Sequence, residues 1–474
     1  MRTPSDIDPR DARIAELEAL LAQRDEELAR RDERIAQLEA LVEEMARRLG
    51  MDSTNSSKPP STDTQKSRSH RKKRKTTRQP GGQPGHQGHK RELWDEARVD
   101  HIHDHFPDSC SCGADLLPGH ATGAFARHQS FELPPKLIEC TERRFHTCAC
   151  PECGKRVAAK PTAQQRLGWG PRLTALLATM SVALHATRGK LDWFIENVLG
   201  APSSKGSVQK YLLEASQALE PAHHQARRAV ESAPVIGADE TGWRKGALPY
   251  WVWLAQSPRA AFVLIRSSRK KECAEELLLE SQARVIVTDR YGGYTWLAPE
   301  RNQVCRAHLL RDWKALAGRA GPLGTYGSRL VVLEKQLHRE WNQWRSGELS
   351  REAFVERAAQ VRVKMDGICE EAGMIKGSPG VLRQVVKEEH RERGWVFMEH
   401  EDVELTNNQS ERDVRTCVIQ RKLSHGSQSQ EGLELMERLW TVGLTCQRQG
   451  TSILDFITQA LQAHRLGHAP TPLV

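Results

Sequence analysis

Two aspartates in this sequence each end a short apolar stretch that is typical of a β-strand. Asp239 ends the stretch that begins at Val235 and precedes Glu-Thr-Gly, and Asp289 ends the stretch that begins at Val285 and precedes Arg-Tyr-Gly-Gly. Ligands gather where the strands of an open sheet end, and neighbouring strands lie about 4.8 Å apart. The two carboxylates are therefore predicted to share a metal ion. A single acid is more often a capping or surface residue, but the repeated pattern disfavours that interpretation.

A third acid, Glu411, lies in the polar run 406–415. Cleavage or transfer of a phosphodiester needs an activated nucleophile and a neutralised transition state, which two divalent ions about 3.5–4 Å apart provide together. Mg²⁺ takes oxygen ligands and keeps several waters, so two or three carboxylates suffice to hold it. Spacing alone does not choose Glu411 over its neighbours Glu399, Glu404 and Asp413.

The elements that must position these acids begin at Pro234, where the pattern changes to short β-type runs. Strands are predicted at 235–239, 250–256, 261–267, 284–289 and 303–305. Helices are predicted at 271–279, 291–297 and 307–314. The fourth strand is apolar on both faces, so it is expected inside the sheet. We interpret residues 234–425 as an α/β domain with an all-helical insertion at about 320–400, followed by a helical segment at 426–474.

The composition indicates an anionic partner, because the net charge of the 474 residues is +9 and the pI is about 9.0. A chain of this length is expected to form two to four domains. No apolar run approaches the roughly 20 residues that span a bilayer, and the charged N-terminal region is unlike a signal peptide. The sequence therefore predicts a cytoplasmic protein without a membrane partner.

Residues 12–49 carry a heptad repeat with apolar residues at two seam positions. The seam residues are Ile14, Leu17, Leu21, Leu28, Ile35, Leu38, Val42, Met45 and Leu49. Arg24 and Arg31 interrupt the seam. The repeat is typical of a coiled coil, predicted over 1–50, through which the chain would form a homo-oligomer. The alternative is a single solvated helix.

Residues 51–100 are predicted to be a basic linker rich in Pro and Gly. The segment 64–91 contains ten Lys or Arg and no acid. Such a composition cannot bury enough apolar surface to fold by itself, and it is either a solvated tether or an arm that follows DNA phosphates. The arm would be centred on a cluster of five basic residues. These are Arg71, Lys72, Lys73, Arg74 and Lys75.

Close pairs of cysteines at 101–160 predict a metal-binding module rather than disulfides. The predicted ligands of a structural Zn²⁺ are Cys110, Cys112, Cys150 and Cys153. The alternative is a set of buried free thiols. The scattered cysteines farther along the chain are expected to be buried thiols. They are Cys273, Cys305, Cys369, Cys417 and Cys446.

Residues 161–233 are predicted to be helical, with a break at 200–207. A helix, a short turn with a serine cap and a second helix are compatible with a helix-turn-helix DNA-binding motif. A plain helical packing domain fits the same pattern, and the spacing does not decide between them.

The acidic blocks resemble those of bacterial transposases of the insertion sequence 66 family. The resemblance rests on Asp239-Glu-Thr-Gly-Trp, Asp289-Arg-Tyr-Gly-Gly-Tyr and Thr406-Asn-Asn-Gln-Ser-Glu411-Arg-Asp-Val-Arg. Ala307-His-Leu-Leu-Arg-Asp and Gly426-Ser-Gln-Ser-Gln-Glu-Gly resemble further blocks of that family. The upstream order of heptads, Asn-Ser-Ser-Lys-Pro-Pro, a basic Gly-rich run and a cysteine segment is also similar, although the Cys110–Cys112 spacing is tighter than usual.

The resemblance implies a ribonuclease H-like catalytic domain with a DDE triad of Asp239, Asp289 and Glu411. It further implies two Mg²⁺ or Mn²⁺ ions, cleavage and strand transfer at transposon ends, and sibling proteins of the same element as candidate partners. Beside the triad, we predict that a few basic residues contact DNA or orient the glutamate. They are His308, Arg311, Arg412 and Arg415. Asn407 and Asn408 are expected to cap the helix of Glu411.

Two other functions fit parts of the sequence. The basic arm, the cysteine module and the helical segment would suffice for a DNA-binding regulator, but such a protein has no use for three carboxylates that repel DNA phosphates. A ribonuclease H-like nuclease without strand transfer has the same acids, and the sequence does not separate it from a transposase.

Overall fold

The computed structural model describes residues 9–49 and 93–474, apart from residues 110, 113, 119–121, 123–126, 150, 154 and 279. Helix α1 (Pro9–Leu49) covers the heptad region, so the predicted helix is confirmed. Its apolar seam is exposed, with Leu21 61 % and Val42 64 % accessible. Self-association through this seam stays a prediction. The basic cluster 71–75 lies outside the described residues.

The cysteine segment contains an antiparallel hairpin of β1 (Thr147–Ala149) and β2 (Arg156–Ala158). Cys153 lies in the turn between the two strands, and both Cys153 and Cys112 are exposed thiols. Cys110 and Cys150 lie outside the described residues, so the Zn²⁺ site stays a prediction.

Helices α2 (Pro171–Ala183), α3 (Arg188–Asn197) and α4 (Lys205–Glu231) follow. The Ser204 hydroxyl accepts a hydrogen bond from the amide of Ser207 and so caps α4. The chain therefore breaks where the sequence predicts, but α4 begins at Lys205 and is long. Recognition of DNA by these helices stays a prediction.

A five-stranded mixed sheet forms the centre of the α/β part, in the order β5-β4-β3-β6-β7. The strands are β3 (Val235–Lys245), β4 (Leu248–Gln256), β5 (Ala261–Arg266), β6 (Val285–Thr288) and β7 (Asn302–Val304). β3, β4 and β5 pair antiparallel, whereas β3, β6 and β7 pair parallel. The predicted mixed α/β architecture is confirmed, and the apolar β6 lies inside the sheet as expected.

Two sequence predictions about this sheet are wrong in detail. Asp239 does not end its strand, because antiparallel pairing with β4 carries β3 on to Lys245. The predicted helix at 291–297 is replaced by single 3₁₀ turns at Gly292–Tyr294 and Pro299–Arg301. Paired glycines and a proline explain this difference, because neither residue type supports a helix interior.

Helix α5 (Lys271–Leu278) joins β5 to β6, and α6 (Arg306–Ala317) follows β7. A helical segment then contains α7 (Gly321–Arg345), α8 (Arg351–Gly373), α9 (Gly380–Val385) and α10 (Glu388–Arg391). A buried, two-point ion pair between Arg306 and Glu334 fastens α6 to α7, with Nη2 2.7 Å from Oε2. The insertion thereby fixes the helix that carries His308 and Arg311.

Helix α11 (Asn408–Ser424) carries Glu411 and is followed by α12 (Gln430–Gln449) and α13 (Ile453–Leu466). Side chains of α12 cover the edge strand β5 by accepting hydrogen bonds from its alternate amides. The pairs are Ala261 to Thr445, Val263 to Thr441 and Ile265 to Glu437. This covering removes an exposed strand edge. Within the described ranges, no helix is both long and apolar enough to cross a membrane.

Candidate active site

The two aspartates lie side by side where parallel pairing between β3 and β6 stops. Gly237 pairs with Val287, and Asp239 and Asp289 each follow two residues later. The amide of Glu240 donates to Asp239 Oδ1 at 2.9 Å, and the amide of Tyr291 donates to Asp289 Oδ1 at 2.8 Å. In each aspartate one oxygen is thus fixed by the backbone, and Oδ2 is left for another partner.

Helix α11 brings Glu411 to these aspartates by packing its first turn directly on β3. The Asn407 side chain donates from Nδ2 to the carbonyl of Ala238 at 2.7 Å, next to Asp239 in the strand. The close approach requires Gly237, because a Cβ there would lie 2.5 Å from Ser410 Oγ. Asn407 occupies the N-cap position but makes no capping bond with its side chain, so the capping role expected of it is wrong.

The charges of the three acids influence one another. Burial holds the pKa of Asp239 well above its ordinary value, and the negative charges of Glu240, Asp289 and Glu411 raise it further. Burial also raises the pKa of Glu411, where Asp289 adds to the rise and Arg311 opposes it. Burial raises the pKa of Asp289 too, whereas the amide of Tyr291 and nearby arginines oppose this rise. Asp239, Asp289 and Glu411 therefore share one electrostatic environment.

Arg311 of α6 donates to Glu411, and His308 of the same helix lies beside it. Its Oε1 lies 3.4 Å from Arg311 Nη2 and 3.5 Å from His308 Nδ1. Burial, together with the charges of Arg311 and Arg290, lowers the pKa of His308 to about 4, so the imidazole is neutral at physiological pH. Sequence analysis predicts DNA contacts for His308 and Arg311, and the structure adds that both touch the glutamate.

Arg412 and Arg415 project from the exposed side of α11. Arg412 Nη2 donates to Gln409 Oε1 at 2.7 Å, within the same helix. Both arginines lie within one helical turn of Glu411, and their contact with DNA stays a prediction.

A family model described as Transposase IS66 family matches residues 166–435, which is more than half of the chain. The chain belongs to the IS66 family of transposases. A second model, described as a family of unknown function (DUF6444), matches residues 4–92. No curated protein matches the sequence.

Membership of the family means that this transposase handles DNA. The match at 166–435 spans the sheet, the helical insertion and all three acids. The match at 4–92 spans α1 and most of the basic linker, so these segments belong to a separately recognised unit. The cysteine module lies between the two matches.

The transposase site contains a buried acid that sequence reasoning missed. The Glu240 side chain is 1 % exposed, bonds to Arg269 at 2.6 Å and accepts a hydrogen bond from Tyr294 Oη at 2.8 Å. Burial raises its pKa, Asp289 adds to the rise, and Arg269 opposes it. The sequence did contain a signal for Glu240. Side chains alternate along a strand, so Glu240 must face away from Asp239, and a buried acid on that other face needs a partner of its own.

A cavity of about 280 Å³ extends from Asp289 beneath the helical insertion of the transposase. Its walls include Arg290, Arg306, Trp313 and Trp395. Of these, Trp395 belongs to the insertion, and Arg391 of the insertion also lines the cavity. The insertion therefore contributes directly to the surroundings of the candidate site.

Proposed function

We propose that this protein is a DDE-type transposase that cleaves DNA at the ends of an insertion sequence and transfers the freed strand to target DNA. The single observation that carries the proposal is the common environment of Asp239, Asp289 and Glu411, which come from β3, from the end of β6 and from α11. The mixed sheet, with its antiparallel half followed by parallel strands, supports a ribonuclease H-like catalytic domain.

The donor set fits divalent cations with a preference for oxygen. The three carboxylates are partly desolvated and repel one another, which is unfavourable unless protons or cations neutralise them. Asp239 and Asp289 each keep one oxygen that no backbone amide occupies. When bound, two Mg²⁺ or Mn²⁺ ions would supply Lewis acidity and charge neutralisation for displacement at phosphorus. We assign Asp239, Asp289 and Glu411 as the residues that hold them.

Other residues position the acids and bind DNA in this proposal. Arg311 fixes the orientation of Glu411 by donating to Oε1 at 3.4 Å, and His308 packs beside the carboxylate. Arg412 and Arg415, exposed beside Glu411, would bind backbone phosphates. The basic linker would follow the DNA by counterion release, and α1 would join two copies of the chain. The cysteine module would hold a structural Zn²⁺.

A nicking assay separates the enzyme from a DNA-binding regulator. With a duplex of the element's end sequence, Mg²⁺ and any sibling proteins, we expect Asp239→Asn, Asp289→Asn and Glu411→Gln each to slow nicking by about 10³-fold, or about 4 kcal/mol. Binding of the duplex should persist. The control is Glu404→Gln, since Glu404 is an exposed acid paired with Arg345 outside the site. If the wild-type protein binds the duplex but never nicks it, the result would support a DNA-binding regulator instead.

A joining assay separates the transposase from a plain nuclease. Labelled element ends are incubated with a target plasmid, and covalent joining is measured after denaturation. We expect the wild type to join ends and the three acid variants to fail. Efficient nicking with no joining would reduce the proposal to a nuclease.

A further inference from the structure

A cysteine, a histidine and the third acid meet where α6 packs against α11. Cys305 Sγ, His308 Nδ1 and a Glu411 carboxylate oxygen all lie within 4.8 Å of one another. Cys305 immediately precedes α6 as its N-cap residue, and His308 follows in the first turn. Among the residues that the structure describes, this is the group of Cys, His and acidic side chains whose ligand atoms lie close enough together to hold one metal ion.

The spacing within this group is close to that of a tetrahedral metal site. Bonds of 2.0–2.2 Å from Zn²⁺ to nitrogen and oxygen place two ligand atoms about 3.4 Å apart at the tetrahedral angle. The observed distance from His308 Nδ1 to Glu411 Oε1 is 3.5 Å. Nδ1 is buried and has no hydrogen-bond partner. A buried ring nitrogen without a partner is a position that a cation can occupy.

The surroundings of the sulfur favour a thiolate once a cation is present. Cys305 is fully buried, and its Sγ accepts a hydrogen bond from the amide of Asn407 at 3.2 Å. The amides of Asn407, His308 and Ala307 approach this sulfur, and the Glu411 carboxylate lies close to it. Amides that converge on a sulfur at a helix N-terminus stabilise its anionic form. What the thiolate lacks is a positive charge beside it.

The ligand types separate this group from the neighbouring Mg²⁺ site. Zn²⁺ and similar ions accept Cys, His and carboxylate ligands and can keep a fourth coordination position open. Mg²⁺, in contrast, requires oxygen ligands. Glu411 belongs to both sets. A cation held by sulfur and nitrogen would therefore draw Glu411 away from the two aspartates.

We propose that Cys305, His308 and Glu411 form an inhibitory site for a thiophilic divalent cation such as Zn²⁺, which switches the enzyme off by occupying Glu411. Binding forms bonds from the cation to Sγ, Nδ1 and a carboxylate oxygen, and the thiol proton passes to solvent. The inhibitory consequence rests on the proposed function, but the binding itself does not.

The binding test uses the full-length protein with its cysteine module already filled with Zn²⁺. Further Zn²⁺ or Co²⁺ is added to the wild type, to Cys305→Ser and to the control Cys273→Ser, whose thiol lies on α5 away from the group. We expect the wild type and the control to bind one more ion per chain than Cys305→Ser. The Co²⁺ form should show a thiolate-to-cobalt absorption band that Cys305→Ser lacks. Thermal unfolding of each variant checks that it is folded.

The activity test measures nicking at fixed Mg²⁺ with increasing Zn²⁺, each variant relative to its own rate in Mg²⁺ alone. Cys305→Ser should need at least about tenfold more Zn²⁺ for half inhibition, a change of about 1.4 kcal/mol. Equal Zn²⁺ stoichiometry in the wild type and Cys305→Ser, or a Co²⁺ complex without a thiolate band, overturns the proposed site. Should the wild type bind the extra ion through Cys305 but never nick DNA, the metal site stands and the proposed function fails.

Discussion

Two adjacent asparagines precede Glu411, and their surroundings differ. Asn407 is 2 % exposed and fastens α11 to the carbonyl of Ala238 on the central strand. Asn408 begins α11 at the surface. Both residue types favour a helix N-terminus, so the sequence treats them alike. Only the packed structure shows that one of them positions the third acid.

We expect Asn407→Ala to lower the free energy of unfolding by about 1–3 kcal/mol, because the buried carbonyl of Ala238 loses its side-chain donor. Nicking should slow as well, since Glu411 is held less firmly beside Asp239. Asn408→Ala, the matched control, should change stability by less than about 0.5 kcal/mol. Urea denaturation and the nicking assay measure both effects. Equal losses in the two variants would contradict this role for Asn407.

A buried histidine couples the stability of the fold to pH. His223 on α4 packs on the Phe262 ring, and its Nε2 lies 3.1 Å from the carbonyl of Val263 on β5. Burial lowers its pKa from 6.5 to about 4, and the hydrogen bond to Val263 opposes this shift. Nearby His224, Arg438 and Arg227 lower it further. The native state therefore keeps this histidine neutral.

As pH falls below 6.5, the unfolded chain takes up a proton at residue 223 that the native state refuses until about pH 4. We expect this histidine to remove up to about 3 kcal/mol of stability over that interval. His223→Gln should lose less stability than the wild type between pH 7 and pH 4, and exposed His224→Gln should behave like the wild type. Denaturant midpoints across that pH range test this. Parallel pH profiles for all three proteins would disprove the coupling.

Among the elements, the contact between α11 and β3 depends on the absence of one side chain. A Cβ at Gly237 would lie 2.5 Å from both Ser410 Oγ and Gln256 Nε2, and 3.0 Å from Asn407 Oδ1. Ser410 and Asn407 are buried, so they have little room to move. A larger residue here must push the first turn of α11 away from the sheet.

Gly237→Ala is expected to destabilise the fold by about 1–3 kcal/mol through overpacking. It should also raise the Mg²⁺ concentration needed for half-maximal nicking, since Glu411 moves with α11. Gly367→Ala within α8 is the control, because a Cβ there meets no atom within 4 Å. That change should be neutral or stabilising by up to about 1 kcal/mol. An unchanged Mg²⁺ requirement in Gly237→Ala would show that this contact does not position the acid.

The sequence predicts the order of strands along the chain well because β4, β5, β6 and the start of β3 are compact apolar runs. It places Asp239 at a strand end wrongly, because residues 241–245 are not an apolar run and are held in β3 by pairing with β4. Parallel pairing between β3 and β6 does stop before the two acids. Asp239 and Asp289 therefore still lie near each other, as expected, although the strand end was predicted wrongly. Local sequence patterns could not reveal which acid from the later part of the chain lies beside the two aspartates.

At the scale of the whole molecule, the candidate site depends on contacts between distant parts of the chain. Asn407 and Ala238 are 169 positions apart, and Arg311 and Glu411 are 100 apart. Periodicity reports local structure and cannot report such contacts. Resemblance to a family selected Glu411 where spacing left several acids, and in the structure Glu411 lies close enough to Asp239 and Asp289 for their charges to interact.

At the same scale, helix α1 is the predicted means of self-association. It is 41 residues long, or about 60 Å, and its apolar seam residues from Ile14 to Met45 are exposed. Leu28 is 53 % exposed and Ile35 52 % exposed, whereas a coiled coil would bury both. Arg24 and Arg31 in the seam weaken the pairing and favour a particular register or number of chains.

We expect the full-length chain of 53.4 kDa to sediment as a dimer or a larger homo-oligomer. Leu28→Asp should dissociate it, because burying a pair of leucines contributes about 3–6 kcal/mol and its loss raises the dissociation constant by about 10²–10⁴-fold. Ala22→Asp, at an outward heptad position, is the control and should leave the mass unchanged. Sedimentation equilibrium measures both. A wild-type monomer at micromolar concentration would mean that α1 is a solvated helix, and joining two DNA ends would then need another interface.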